Sequence, residues 1–345
     1  MPLGEFDLIS KYFMRSGTRL SARTALGIGD DCALLVPATG MQFAVSCDML
    51  VEGRHFLSTV APERLGHKAL AVNLSDLAAC GAKPLAFTLA LAMPRVDERF
   101  LAGFSRGLFA LADRFGVELV GGDTTAGPLN ICITVFGEVP PGQALLRSGA
   151  QAGDELWVSH AGGGEVGSEA GREPGGAVGG IGDARLALEA FRGRVVLGAE
   201  AFEATRRAME CPEPRVALGL ALRGLASAAI DISDGLAGDL DHVLAASGVG
   251  ARVDVDELPR SAWLAAMPRP LQLECLLAGG DDYELLFSAP ASHHARVLDA
   301  AAVARVGARC IGSICRRDTG PRLRLHDAHG EPVELAAAGF DHFRS

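Results

Sequence analysis

Gly27-Ile28-Gly29-Asp30-Asp31 sets two adjacent carboxylates on a glycine-hinged turn, and four further stretches repeat the theme. They are Ser46-Cys47-Asp48, Gly121-Gly122-Asp123-Thr124-Thr125, Asp231-Ile232-Ser233-Asp234-Gly235 and Gly279-Gly280-Asp281-Asp282-Tyr283-Glu284. Glycine lets backbone approach a ligand closely, and neighbouring carboxylates repel unless a cation or proton sits between them. Acid-tipped turns dispersed in this way point to divalent metal with phosphate.

Composition narrows the classes around that reading. At 345 residues the chain exceeds one typical core, which predicts two domains. A 49% hydrophobic content with only 6% aromatics and 43 glycines describes a globular chain built from small aliphatics. The net charge of -10 argues against nucleic-acid binding, because no stripe of lysine and arginine is present to displace counterions. Eight cysteines contain no C-x-x-C pair, so neither a zinc site nor a disulfide framework is expected. The first residues lack a basic and then apolar leader, and no run of about 18 apolar residues occurs. A cytoplasmic protein with no membrane partner is expected.

Along the chain, periodicity predicts helices over 5–16, 62–80 and 98–115, with Gly81 stopping the second. Strands are predicted over 42–47, ending at Asp48, over 85–91, over 117–120, delivering Gly121-Gly122-Asp123, and over 131–136. The acids then lie at strand ends of an α/β layer, where sites on such sheets tend to occur. On the 62–80 helix, Asp76 shares a face with Leu65, Ala69 and Val72, so it requires a partner or a metal.

A polar, glycine-rich boundary near 149–153 opens the second half, which carries a strand over 154–159 and a glycine-rich loop over 162–182. Gly162, Gly164 and Gly167 spell G-x-G-x-x-G, but the glycines run on and no helix starts promptly, so a dinucleotide site is rejected. No P-loop motif exists. Helices over 183–191 and 214–226 and a strand over 228–230 lead into Asp231-Ile232-Ser233-Asp234-Gly235. A helix is predicted there with Ser233 or Asp234 as its cap, which leaves Asp231, Asp239 and Asp241 without a role.

Taken together, Gly4-Glu5-Phe6, Gly27–Ala33, Asn73-Leu74-Ser75-Asp76-Leu77-Ala78-Ala79, Gly121–Thr125, Asp231–Gly235 and Gly339-Phe340-Asp341-His342-Phe343 resemble the thiamine-monophosphate kinase family, in the same order from residue 4 to 343. The resemblance implies an α/β (α+β) fold of two domains like aminoimidazole-ribotide synthetase. An N-terminal α/β domain over 1–149 would bind ATP and magnesium and dimerise through its strands, and a C-terminal α/β domain over 150–345 would carry the glycine-rich loop. It implies phosphorylation of thiamine monophosphate by ATP, with several Mg2+ ions and a homodimer.

Position by position, the resemblance assigns metal binding to Asp31, Ser46, Cys47, Asp48, Asp76, Asp123, Asp231 and Asp234. It assigns ATP contacts to Gly122, Asp123, Arg147 and Ser233, and substrate contacts to His55, Asp281 and Phe340. Two departures stand out. Cys47 takes a place where the family often has threonine, and Asp281 replaces its usual glutamate. The acceptor so implied is a phosphate monoester with a second pKa of about 6, a dianionic nucleophile at neutral pH, so no general base is expected and transfer would be direct. A selenophosphate synthetase of the same fold would carry a reactive cysteine near its start, whereas the first here is Cys32. A calcium-binding module would carry D-x-[DN]-x-[DN]-G loops, which are absent.

Overall fold

The computed structural model describes residues 5–15, 20–28, 32–162 and 180–334. The chain divides into two compact units, one of Met1–Leu77 with Ala82–Gly142 and one of Ala78–Gly81 with Gln143–Ser345.

The first unit runs α1 (Glu5–Tyr12), β1 (Thr24–Leu26), β2 (Leu34–Leu35), β3 (Gln42–Val51), α2 (Pro62–Ala79), β4 (Lys83–Met93), α3 (Glu98–Phe115), β5 (Glu118–Ala126) and β6 (Asn130–Val139). Its main sheet has the order β3-β6-β4-β5, antiparallel except for the β4–β5 pair that α3 connects. Asp97 caps α3 by accepting from Arg99 N and Phe100 N, and Gly116 ends it at φ 62°.

The two long helices meet backbone to backbone. A Cβ on Gly107 would lie 1.8 Å from the Glu63 carbonyl oxygen, and one on Gly66 would lie 2.0 Å from that of Phe104. Alternation along the strands buries Leu50, Leu89, Leu91, Ile131, Ile133 and Val135 on one face of the sheet. The other face stays open at β3, where Phe43, Val45 and Met49 are 42%, 58% and 52% exposed.

The second unit contains β7 (Asp154–His160), α4 (Asp183–Phe191), α5 (Ala199–Glu210), α6 (Val216–Ala221), β8 (Ala228–Asp231), α7 (Leu236–Ser247), β9 (Gly250–Asp254), α8 (Ala262–Ala265), α9 (Arg269–Ala278), β10 (Leu285–Pro290), α10 (His294–Ala304), β11 (Gly307–Cys315) and β12 (Leu323–His326). Its six described strands are ordered β12-β9-β11-β7-β10-β8, and among them only the β12–β9 pair is parallel. An apolar cluster including Leu156, Val158, Ile230, Leu240, Leu276 and Ile311 lies in this unit, and Trp157, Phe287, Leu218 and Val297 are buried outside it.

Several boundaries differ from those the sequence predicts. β3 continues through Asp48 to Val51, and β5 runs through Gly121-Gly122-Asp123 to Ala126, so Asp48 and Asp123 sit inside strands rather than at their ends. Pairing explains both extensions, since Asp48 is matched by Ile133 and Asp123 by Ala90, and a ladder tolerates an acid at an edge strand. The helix predicted over 214–226 shrinks to Val216–Ala221, and α5, which the sequence reading passed over, precedes it.

The helix contact yields a direct expectation. Gly107→Ala should lower the unfolding free energy by about 2–3 kcal/mol, because the added methyl meets main chain that cannot rotate away. Urea denaturation of the purified chain measures it, and an unchanged midpoint would contradict the close approach.

Candidate functional site

In the first unit α2 carries the polar side chains that meet β3. Asn73 Nδ2 donates to Ala69 O at 3.0 Å, and Asn73 Oδ1 accepts from Asp48 N at 3.0 Å, which ties the strand to the helix one turn before Asp76. Ser46 Oγ then donates to Asp76 Oδ2 at 2.5 Å. Ser46 and Asp76 are both half-buried, so the acid on the apolar face of α2 has the partner it requires.

Cys47 alternates to the opposite face and places its Sγ 3.4 Å from that of Cys132. Burial, with Cys47 alongside, pushes the Cys132 thiol up to about 11. Asp123 is exposed and falls in the register row of Ala90, Cys132 and Met49. Asp48 lies in the neighbouring row of Ile133 and Leu89, with two strands between the edges. The structure therefore brings Ser46 and Asp76 together and leaves Asp123 apart from them. Gly122 adopts φ 142°, and a Cβ there would stand 1.8 Å from Leu89 O, so only glycine fits. His55 Nδ1 accepts from Val51 N at 3.0 Å, which leaves the neutral ring with its proton on Nε2.

In the second unit Asp231 ends β8, 6% exposed and matched to Leu285. The following turn exposes Asp234 and half-buries Ser233. Neither caps α7; its N-cap is Gly235, at φ 119° and without a side-chain bond. Asp239, within the helix, takes over: one oxygen accepts from Ser233 N, Asp234 N and Gly235 N at 3.0, 3.1 and 3.2 Å. Burial holds the Asp239 carboxyl up at about 6, while those donors pull it down. Arg147 is exposed, its carbonyl accepting from Ser247 Oγ.

Asp281, at φ 65°, lines a cavity of ≈ 260 Å³ shared with Glu213, Arg215, Asp282 and Glu284. Arg215 donates to Glu284 through Nε at 2.7 Å and through Nη2, and Ser159 Oγ donates to the same carboxylate. Both side chains of the ion pair are under 10% exposed, at 9% and 6%. Asp282 accepts from Gly182 N at 2.9 Å with Oδ1, while its buried Oδ2 meets no partner among the described residues. Desolvation holds this carboxyl well above the usual carboxylate range, the charges of Asp183 and Glu284 adding to it.

The sequence reading missed the Arg215–Glu284 pair and Asp282 as buried groups. The signal was in the quoted turn, which carries three acids in four residues, only one of which it assigned. Asp31 and Phe340, together with residues 163–179 of the glycine-rich loop, lie outside the described residues. Among the described residues no three His, Cys, Asp or Glu side chains gather as a ready-made cation site. The donors that do meet, Ser46 Oγ and Asp76, are hard oxygens of the kind magnesium takes.

The buried pair makes a second prediction. Arg215→Met should destabilise the second unit by about 3–5 kcal/mol by stranding Glu284, whereas Arg215→Met with Glu284→Leu should recover most of that loss. Denaturant unfolding of the three proteins tests it, and equal losses for the single and double variants would refute the pairing argument.

Comparison with known proteins matches residues 29–139 to the N-terminal domain of AIR synthase related proteins and 151–321 to their C-terminal domain. The chain is 43% identical over 347 residues to the thiamine-monophosphate kinase of Salmonella typhimurium, covering 99% of each. The crystal structure of the Stenotrophomonas maltophilia enzyme of that name superposes with a TM-score of 0.78 at 40% identity, over 90% of this chain and 93% of that one. The structure of AaThiL complexed with AMPPCP and TMP superposes at 0.72 with 27% identity, over 89% of each. No helix among the described residues is long and apolar enough to cross a membrane. With its two AIR synthase related domains and a full-length kinase relative, the chain belongs to the thiamine-monophosphate kinase family.

Proposed function

We propose that this chain phosphorylates thiamine monophosphate to thiamine diphosphate by direct in-line transfer from ATP. The observation that carries the proposal is the 43% identity to a thiamine-monophosphate kinase across the whole chain. The complex of the related AaThiL with AMPPCP and TMP supports the pairing of nucleotide and acceptor.

Metal binding is assigned to Asp31, Ser46, Cys47, Asp48, Asp76, Asp123, Asp231 and Asp234. Bound magnesium would supply charge neutralisation between two anionic phosphates and alignment for an in-line displacement. The rest falls to the chain itself. Ser46 orients Asp76 through its hydroxyl. Cys47 turns its thiol away from that pair towards Cys132, so any oxygen it offers is the main-chain carbonyl. Gly122, Asp123, Arg147 and Ser233 are assigned to ATP; at Gly122 the missing Cβ is required by the Leu89 main chain of β4, which fixes the strand that carries Asp123.

His55, Asp281 and Phe340 are assigned to the acceptor. Val51 N–H donates to His55 Nδ1 and so holds the ring in a fixed orientation on the segment after β3. With Arg215 paired to Glu284 and Asp282 held above the usual carboxylate range, Asp281 and Glu213 leave the cavity negative, a balance suited to an organic cation such as the thiazolium ring of the acceptor. No side chain here is asked to remove a proton, because the acceptor phosphate is already largely dianionic with a second pKa of about 6.

We also propose a homodimer formed through the open face of the first unit's sheet. Phe43, Val45 and Met49 form an exposed apolar row on an edge strand, a surface that water disfavours and a second copy would cover. In that assembly Val45→Glu should shift sedimentation from dimer to monomer, and a wild-type monomer would refute it.

The deciding assay combines purified protein, ATP, magnesium and thiamine monophosphate. Thiamine diphosphate should form, and Asp123→Asn should lower kcat/KM by about 100-fold or more. Inversion at the transferred phosphorus is expected, whereas net retention would require a phosphoenzyme. Absence of product with nucleotide still bound would move the search to another acceptor.

A further inference from the structure

The acids of the second unit outnumber the assigned roles, and Asp239 is the one whose geometry is most specific. It is 4% exposed, on the first turn of α7, and directs one carboxylate oxygen at three consecutive main-chain N–H groups, those of Ser233, Asp234 and Gly235. Its own N–H returns to Gly235 O at 3.0 Å. Consecutive amides converging on one point are the arrangement that elsewhere cradles a phosphate. Here they point inward, to a carboxylate of the protein. The turn is thereby closed to anions through its backbone and presents outward the side chains of Ser233 and Asp234.

The carbonyl side of the same turn is also engaged. Ser233 O accepts from Asp281 N at 2.7 Å, Ile232 O accepts from Tyr283 N at 2.8 Å, and Ile232 N donates to Glu284 O at 2.8 Å. These bonds fix the segment that holds Asp281 and Tyr283 at φ 65° and 52°, a conformation L residues adopt only when their surroundings impose it. In the segment 232–235 the amides of 233, 234 and 235 are thus held by Asp239, while the carbonyls of 232 and 233 hold Tyr283 and Asp281.

We infer that Asp239 is a positioning residue that locks turn 231–235 and, through Ile232 and Ser233, turn 279–284 into one hydrogen-bonded body. The inference rests on the kinase reading for the identity of what the two turns face. On that reading the first turn addresses metal and nucleotide and the second addresses the acceptor. Loss of Asp239 therefore weakens both together. A residue that served only to keep the unit folded would lower the amount of active protein and leave both affinities as they were.

The test uses the full-length chain with Asp239→Ala, Asp239→Asn and Asp239→Glu, and Asp241→Ala as a control on the same helix, where the side chain pairs with Arg322 at 2.7 Å. Calorimetric binding of AMPPCP with magnesium, KM for ATP and for thiamine monophosphate, and amide hydrogen exchange at 233–235 are measured on each. Asp239→Ala should weaken nucleotide binding and raise the acceptor KM by about tenfold or more, with faster exchange at the three amides. Asp239→Asn keeps an acceptor oxygen in place and should stay within about threefold of wild type.

Should the alanine variant fail to fold, Asp239→Glu decides. It retains the carboxylate and moves it by one methylene, and both affinities should still fall severalfold. Folded Ala or Glu variants with unchanged affinities for both ligands, or with only one of the two affected, would overturn the inference. A wild-type protein that binds AMPPCP with magnesium but does not phosphorylate thiamine monophosphate would refute the kinase reading instead, and the nucleotide arm would still decide the role of Asp239.

Discussion

The second unit depends on the hydrogen bonding between the ends of two neighbouring strands. β8 and β10 pair from Ala228 with Ser288 to Asp231 with Leu285, and the ladder then continues irregularly as Ile232 exchanges bonds with Glu284 and Tyr283. Two non-glycine residues with positive φ each cost on the order of 1–3 kcal/mol, so Asp281 and Tyr283 keep their conformation only because both amides are bonded. Beneath them the Arg215–Glu284 pair anchors the start of β10. Removing water from that pair is costly, and the compensation is its near-complete satisfaction, with Ser159 supplying a further donor to the carboxylate.

In the first unit the governing constraint is steric. The glycines at 66 and 107 let α2 and α3 touch main chain to main chain. With no Cβ between them, the two helices lie closer than ordinary side chains allow, and the register of α2 follows. That register puts Asn73 and Asp76 opposite Asp48 and Ser46 on β3. A small residue on one helix thus sets which oxygens face each other three turns away.

The motifs were legible in the sequence because they combine glycine with acids, and the long helices because their apolar periodicity is strong. α2, α3 and α4 fall close to the predicted spans, and Gly81 and Gly116 end helices at positive φ. Strand limits were less legible. Turn-like composition at Gly121-Gly122-Asp123 signals a loop, yet these residues are paired to Thr88, Leu89 and Ala90, since tertiary pairing overrides local propensity. The cap of α7 shows the same limit. Ser233 and Asp234 have the composition of caps, but the acceptor comes from Asp239, after the turn instead of before it. Periodicity places Asp239 on the helix without revealing that its carboxylate reaches back over the preceding turn.

The absence of a P-loop motif and the fate of the turn amides have one physical meaning. Phosphate can be held by main-chain N–H groups at a helix start, or by cations that acidic side chains hold. In turn 231–235 the first route is closed, because Asp239 consumes three successive amides. What faces outward is acidic, in a chain whose net charge is already -10. Such a surface repels a polyphosphate until a divalent ion reverses the local sign. Under the proposed function, the dispersed acids of the sequence and the inward-turned amides of this turn are two sides of one choice, in which anion recognition would be delegated to metal.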